Sequence, residues 1–391
     1  MATDWNKVAD KIINKERVVV ERNRERIPYS TQEEHRFDDY SADDKICWWT
    51  NGFWGGLLWQ LYRATGENLF AEAACKVEKQ LDACFMNYNG MDHDAGFRWL
   101  PTAVAHVRLA REKKSSVALE GAIAEARNRG LLAANSLAGR FNANGDFIRA
   151  WNDWGDGRDT RGWAIIDCMM NLPLLYWASD ELEDPRFRAI AIRHADTAAK
   201  HFIREDGSVR HIVGFDPVKG TFLRDYGGQG YGEGSSWTRG QGWALYGFTL
   251  SYLHTAKVEY LEAARKIANR FIERIPDDGR IPVDFDQPSE PAYKDDTAAA
   301  IAACGLLTLS EQEKTSENGS SDNSNRYREA AVRLLETLDR DSCDYSPEHD
   351  ELLTKCTAAY HDEKHEFPII YGDYYYIEAV WKLTGKELFI W

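Results

Sequence analysis

Two aspartates stand where aspartate is costly. The stretch "WAIIDCMMNLPLLYWA", residues 163–178, reads as a buried apolar helix, yet it carries Asp167, with Asn171 one turn later. A carboxylate left charged and unpaired among Ile165, Ile166, Met169, Met170 and Leu172 costs roughly 3–5 kcal/mol. The second, Asp94, lies in "MDHDAGF" just ahead of another apolar run. Two carboxylates at one cavity can divide labour. The one in drier surroundings keeps a raised pKa and donates a proton, while its partner stays ionised. The bland alternative stands equally open: Asp167 braces a neighbouring backbone and Asp94 is a turn aspartate. "DHD" at 92–94 suggests metal ligands only weakly, and no second His/Asp cluster has ligand spacing, so no metal is expected and His93 reads as a hydrogen-bonding or ligand-contacting residue. "GGQGYGEG" (227–234) fails both phosphate-loop patterns, and its glycines let the backbone pass close to a ligand. "SSWTRGQGW" sets Trp237, Arg239 and Trp243 around a helix start. Arg239 either pairs with a substrate carboxylate or bridges loop carboxylates. His211, in "GSVRHIVGFDP", reads by itself as structural. No GxSxG elbow and no cysteine-nucleophile signature occurs, which leaves acid/base chemistry.

The elements that must position these residues are helical, and strand alternation is nearly absent. A loose repeat runs through "LYRATGENLF", "YWASDELEDPRF", "SYLHTAKVEYL" and "WKLTGKELF". Each closes an apolar helix on a short polar turn, and the first three lead into an amphipathic helix. Inner, apolar helices are expected near 52–63, 98–111, 163–178, 239–254, 296–309 and 371–384. Outer, amphipathic ones are expected near 5–22, 69–85, 117–136, 186–203, 258–274 and 326–339. Six inner and six outer helices in alternation predict an all-α closed ring, an (α/α)6 barrel forming a single catalytic domain over 1–391, with an open solenoid as the alternative. The low-complexity stretch 310–325 reads as a mobile loop. The segments entering the inner helices (44–56, 90–97, 148–163, 225–243, 358–376) are rich in tryptophan, glycine and charge. In a ring of hairpins they gather at one mouth.

The chain has 391 residues, and its formal net charge of −15 argues against nucleic acid and anionic membranes as partners. No apolar run reaches the ~18 residues of a membrane span, and the first residues lack an apolar signal core. Seven cysteines without CxxC spacing read as free thiols in a reducing compartment, which sets the expected location as cytoplasmic. Aromatic residues make up 12% of the chain; most pack the core, but aromatic clefts also bind sugars.

The blocks "TNGFWGGLLW", "DHDAGF", "IIDCMMNLPLL", "GSSWTRGQGWALYGF", "DDTAAAIAACGLL" and "YGDYYYIEA" together resemble the unsaturated glucuronyl hydrolases, glycoside hydrolase family 88, over nearly the whole chain. The resemblance implies an (α/α)6 barrel without metal or cofactor, acting as a monomer or weak homo-oligomer. The implied substrate is an oligosaccharide carrying a 4,5-unsaturated uronic acid at its non-reducing end. It assigns Asp167 as general acid/base and Asp94 as its essential partner. Carried over by motif, Trp49, His93, Trp151, His211, Gln229, Trp237, Arg239, Trp243 and Tyr360 line the sugar site. One departure stands out. Where some bacterial members carry serines and a lysine that receive a substrate sulfate, this chain reads "AAYHDEKHEF", with Ala359 and Asp362 at the serine positions and Lys364 retained, so weaker use of substrates sulfated there is expected. Three other readings compete: hydrolysis of unsaturated rhamnogalacturonan fragments, sugar epimerisation through His106 and His254, and non-catalytic carbohydrate binding.

Overall fold

The computed structural model describes residues 3–112, 122–153, 155 and 157–391. The leading part (117–121) of the outer helix expected over 117–136, and residues 154 and 156 of the loop read over 148–163, lie outside this set.

Among the described residues, twelve helices alternate between an outer and an inner layer. The outer ones are α1 (Trp5–Asn23), α3 (Asn68–Gln80), α5 (Ile123–Ala138), α7 (Pro185–His201), α9 (Val258–Glu273) and α11 (Ser321–Asp341). The inner ones are α2 (Asn51–Thr65), α4, α6 (Leu172–Leu182), α8 (Thr238–Thr255), α10 (Asp296–Thr315) and α12 (Ile370–Thr384). Helix α4 is α-helical over Ala95–Trp99 and Ala105–Arg111, with a π-helical turn over Leu100–Val104 between them. Pro101 lacks the N–H that the Phe97 carbonyl would accept, so the ladder slips there; the Thr102 hydroxyl donates to the Arg98 carbonyl at 2.5 Å.

Each inner helix touches the next, and α12 returns to pack on α2, so the ring is closed rather than a solenoid. The inner helices are buried nearly all round, as Asn51–Tyr62 and Thr238–Tyr252 show. The outer helices bury one stripe, such as Tyr260, Leu261, Ala264, Ile267, Ala268 and Phe271 of α9. Local chemistry marks the ends. Asp184 caps α7 by accepting from the Arg186 N–H, with Pro185 at the first helical position. Gly66 and Gly385 end α2 and α12 in the left-handed region.

The structure corrects two expectations. Residues 163–178 are not one helix. After a short hairpin of β1 (Phe141–Asn142) and β2 (Phe147–Ile148), Trp163–Ile165 form strand β3, Ile166–Met170 a 3-10 turn, and only then does α6 begin. The β-branched Ile165 and Ile166 pair or turn where Leu172–Ala178 coil. The stretch 310–325 is mostly helix: α10 runs to Thr315 and α11 starts at Ser321, capped by the Ser320 side chain. Most of its polar residues face outward, but Ser310, Glu313 and Ser324 are buried and hydrogen-bonded, which composition alone does not distinguish from a loop. The sequence also concealed a small antiparallel sheet, β3 with β4 (Ile212–Phe215) and β5 (Phe222–Tyr226), at the mouth of the ring. No helix among the described residues is long and apolar enough to cross a membrane.

Candidate active site

Helix α4 and the 3-10 turn before α6 bring the two aspartates together. Asp94 is the residue that opens α4, its backbone N–H donating to Asp92 Oδ1 at 3.0 Å. Strand pairing sets Asp167. Ile165 lies opposite Ile212 in the β3–β4 ladder, and the Ile166 N–H donates to the His211 carbonyl at 3.0 Å. His211 Nε2 therefore faces Asp167 Oδ1 at 3.7 Å. Asn171 joins the two. Its Oδ1 accepts the Phe97 N–H at 2.7 Å in the first turn of α4, while Nδ2 reaches Asp94 Oδ1 at 3.4 Å and the Asp167 carbonyl at 3.3 Å. This close approach requires Gly96, where a Cβ would lie 2.5 Å from the Asn171 Cα. So the asparagine one turn beyond Asp167 bridges the two segments.

Burial pushes Asp167 from 3.8 up to about 7, against the lowering effects of the Arg239 charge, a backbone N–H and the Trp243 indole N–H. Burial also pushes Asp94 well above the usual carboxylate range; the neighbouring Asp92 charge adds to this, Asp167 adds less, and Arg98 opposes. Asp92 goes the other way. Burial alone would raise it, but the Arg98 guanidinium at 2.7 Å, His93 and the Asp94 N–H together outweigh that and hold it below 3.8. His93 is pushed down to about 4 by burial and is neutral at physiological pH. Its Nδ1 donates to the Ala150 carbonyl at 2.9 Å, so Nε2 carries the lone pair. Asp94 Oδ1 lies 3.1 Å from that Nε2, so lone pair faces lone pair unless Asp94 carries a proton. The sequence reading of one protonated and one ionised carboxyl is thereby amended: both members of the pair are raised, and Asp92 is the ionised aspartate. Asp92, His93 and Asp94 offer atoms within 4.8 Å of one another, but they form a hydrogen-bond chain whose positive charge is the buried Arg98.

A cavity of about 950 Å³ opens above this pair, within the size range of ligand sites. Of the residues expected in the site, Trp49, Asp94, Trp151, His211 and Gln229 line it. Asp167, 8% exposed, and His93, 1% exposed, do not line it; each stands directly behind a lining residue, Asp167 Oδ1 3.7 Å from His211 Nε2 and His93 Nε2 3.1 Å from Asp94 Oδ1. Trp237, Arg239 and Trp243 are likewise buried and outside the lining. Trp237 lies against the His211 ring at 4.1 Å, and Trp243 packs on Phe97 at 5.1 Å. Arg239 Nη1 donates at 2.6 Å both to Asp295 Oδ2 and to the Thr357 carbonyl, and Nη2 donates to the Ala358 carbonyl, so of its two sequence readings the bridging one holds here. Tyr360 lies beside the cavity, its N–H donating to the Gln229 carbonyl at 2.9 Å and its hydroxyl to the Pro291 carbonyl at 3.3 Å.

Burial pushes His211 down to about 3, so its ring is neutral. Its Nδ1 stands 3.0 Å from the Gly227 carbonyl and 3.1 Å from the Gln229 N–H, and a neutral ring serves one of them at a time. Gly228, at φ +77°, lets the chain pass this ring; a Cβ there would lie 2.2 Å from the imidazole Nδ1. The glycine run thus accommodates a histidine as well as any ligand. His106 and His254 do not enter the cavity. His106 Nδ1 contacts Glu78 at 3.2 Å, and His254 stacks on Tyr176 at 5.0 Å. Sequence reasoning missed Asp92 and Arg98 as electrostatic partners, and Trp163 and Tyr226 as wall residues. The first pair was legible as an i, i+6 Asp–Arg pair flanking "HDAGF"; the second required the unpredicted sheet.

Comparison with known proteins places the fold and the family. The unsaturated glucuronyl hydrolase of Bacillus sp. (strain GL1) is 34% identical over 348 residues, 88% of each chain. An unsaturated chondroitin disaccharide hydrolase of Streptococcus pyogenes is 34% identical over 337 residues, 85% of this chain and 80% of the relative. The crystal structure of the Bacillus sp. GL1 enzyme superposes with a TM-score of 0.85 at 31% identity, covering 97% of each chain. A UGL variant with dGlcA-Glc-Rha-Glc superposes at 0.86 with 30% identity, also over 97% of each. Residues 10–308 match the model of Glycosyl Hydrolase Family 88, and the chain belongs to that family of glycoside hydrolases.

Proposed function

We propose that this enzyme hydrates the C4=C5 double bond of a 4,5-unsaturated glucuronic acid at the non-reducing end of lyase-generated oligosaccharides, with Asp167 as general acid/base and Asp94 as its partner. The observation that carries the reading is the pair of raised carboxyls joined by Asn171, Asp94 in the wall of an aromatic-lined cavity and Asp167 directly behind its His211. The names of the relatives support the substrate class, glucuronyl and chondroitin-type rather than pectin-derived.

The chemistry follows from the residues. The substrate is an enol ether, nucleophilic at C4. With a pKa of about 7, Asp167 holds a proton in a large fraction of molecules at neutral pH and delivers it to C4. Positive charge develops at C5 and the ring oxygen, beside a carboxylate that has just become negative. Asp167 then takes a proton from water as that water attacks C5. The hemiketal opens, and the glycosidic bond is lost with it. Carboxylate spacing rules for displacement at C1 do not govern this route. Asp94, held protonated against His93 Nε2, adds no second negative charge beside Asp167 and leaves it free to ionise. Neutral His211 and Gln229 supply polar contacts, and Trp49 and Trp151 flat apolar faces, for the sugar.

The inner helices close one ring from α2 to α12, which supports a single catalytic barrel domain. Seven cysteines without a disulfide support a cytoplasmic site of action. Lys364 stands 4.5 Å over the Phe367 ring and lines a separate cleft with Glu33, Glu34 and Glu366, which supports weak use of sulfated substrates at that subsite. The test follows loss of the double-bond ultraviolet absorbance with unsulfated and sulfated glycosaminoglycan-derived disaccharides and with a pectin-derived one. Wild type is run beside Asp167→Asn and Asp94→Asn. Fast turnover of the unsulfated glucuronyl substrate, lost in both variants, is expected. Undiminished turnover in either variant refutes the mechanism, and preference for the pectin-derived or sulfated disaccharide refutes the substrate assignment.

A further inference from the structure

Away from the catalytic cavity, two histidines distant in sequence meet over a buried glutamate. His35 follows α1 and His349 precedes α12. Their rings stack with centroids 4.0 Å apart and planes 22° apart. Glu351, 1% exposed, presents Oε1 to His35 Nδ1, while its Oε2 is buried without a hydrogen-bond partner. One donor atom from each of His35, His349 and Glu351 lies within 4.8 Å of the others. Asp344 Oδ2 holds His349 Nδ1 at 2.6 Å, which leaves Nε2 of that ring to coordinate. A carboxylate behind a histidine is the usual outer support of a metal-binding imidazole, fixing tautomer and orientation.

We propose that His35, His349 and Glu351 form a binding site for a divalent transition-metal ion, Zn²⁺ foremost, that clamps the segment after the first helix to the segment before the last. Two imidazole nitrogens and a carboxylate, with water in the fourth position, suit a borderline ion better than Ca²⁺ or Mg²⁺. Ligands at about 2.1 Å from a tetrahedral ion lie ~3.4 Å apart, so a spacing of 4.8 Å needs to close by about 1.4 Å. The side chains of His35 and His349 are 54% and 36% exposed and can turn to do so. The ion would take up the orphaned Glu351 Oε2. Its place is mechanical: the same two segments are already joined by the Asp350 N–H to the His35 carbonyl at 3.0 Å and the Phe37 N–H to Asp350 Oδ2 at 3.0 Å. None of the three ligands lines the catalytic cavity.

The test strips the full-length protein with a chelator and titrates it with ZnCl2 by calorimetry and with CoCl2 by visible absorption. One equivalent of Zn²⁺ is expected, with cobalt d–d bands and no thiolate charge-transfer band. Zn²⁺ should raise the melting temperature of wild type and not of His35→Ala or His349→Ala, and each variant should weaken the affinity at least tenfold. Asp344→Asn, which keeps all three ligands, should weaken it about 10–100-fold; it carries the comparison should a histidine variant fail to fold. Turnover at 25 °C should stay within twofold in all of them. Absence of saturable uptake by wild type overturns the proposal, as does uptake that survives in both histidine variants, or cobalt bands that place the ion on cysteines.

Discussion

The raised pKa of Asp167 implies that the catalytic carboxyl costs the fold stability, and the cost can be read as a function of pH. In the folded chain Asp167 titrates at about 7, whereas its ordinary value is 3.8. Between these values the folded state holds a proton that the unfolded state has released, so unfolding loses a bound proton and wild-type stability falls as pH rises through that window. The group's contribution is fully present below pH 3.8 and fully lost above about 7. At 1.36 kcal/mol per pH unit, the interval corresponds to roughly 4 kcal/mol, a ceiling for an isolated site. Asp167→Asn removes the titration while keeping the shape. Relative to wild type, its stability gain should be near zero at pH 4, grow between pH 4 and 7, and level off above pH 7. For a chain of this size, unfolding entropy of ~0.8 kcal/mol per kelvin turns a 4 kcal/mol gain into about 5 °C of melting temperature. The assay is thermal unfolding of both proteins in matched buffers from pH 4.5 to 8.5, with the ultraviolet assay alongside, where the variant should lose about 10²–10⁴-fold in kcat. A melting-temperature difference that is flat across this range, or larger at pH 5 than at pH 8, refutes the assignment of a buried, raised carboxyl to Asp167.

Three further outcomes follow from the same geometry. Arg239→Met leaves Asp295 buried without its cation and should cost about 3–5 kcal/mol in stability; it also removes the charge that opposes the Asp167 shift, so the alkaline limb of kcat/KM should move to higher pH, and a limb that stays in place refutes the coupling. Asn171→Ala orphans the buried Phe97 N–H and should cost about 1–3 kcal/mol, with a fall in kcat of tenfold or more as the two aspartates lose their common brace; a variant that loses stability but keeps kcat shows that the brace is only structural. Gly52→Ala would set a Cβ 2.6 Å from the Arg98 Cα, backbone that cannot yield, so the α2–α4 contact should open and the melting temperature should fall by several degrees or the chain fail to accumulate.

The ring was legible because its signal is repetitive. Six apolar helices alternating with amphipathic ones repeat a hairpin that cannot bury its inner face alone, and closure of that array is the simplest way to do so. What sequence misplaced was local. In "WAIIDCMM" the apolar run has no period that separates strand from helix, and β3 forms there because β4, nearly fifty residues later, offers it a ladder. In 310–325 the polar residues that resemble a linker belong mostly to two helix ends, one capped by Ser320, and three of them, Ser310, Glu313 and Ser324, are buried with hydrogen-bond partners.

The site was legible as residue types and not as charge states. Motifs pointed to Asp94 and Asp167, and chemistry required that at least one keep a proton. Which group stays ionised depends on where the nearest fixed positive charge lies, and that is a matter of packing. Arg98, fully buried one helical turn beyond Asp94, spends its guanidinium on Asp92 rather than on Asp94. Asp92 therefore stays negative and pushes Asp94 up, and a protonated Asp94 rests on a histidine whose own burial keeps it neutral. Arg239, the other buried cation, is committed to Asp295 and so lowers Asp167 without pairing with it. Each arginine thus satisfies another aspartate, and the two carboxyls proposed for the chemistry are left to burial. A direct ion pair from either arginine to Asp167 would hold it ionised and remove its proton-donating form. The placement of these two cations one residue away from the chemistry is what lets an aspartate serve as an acid at neutral pH.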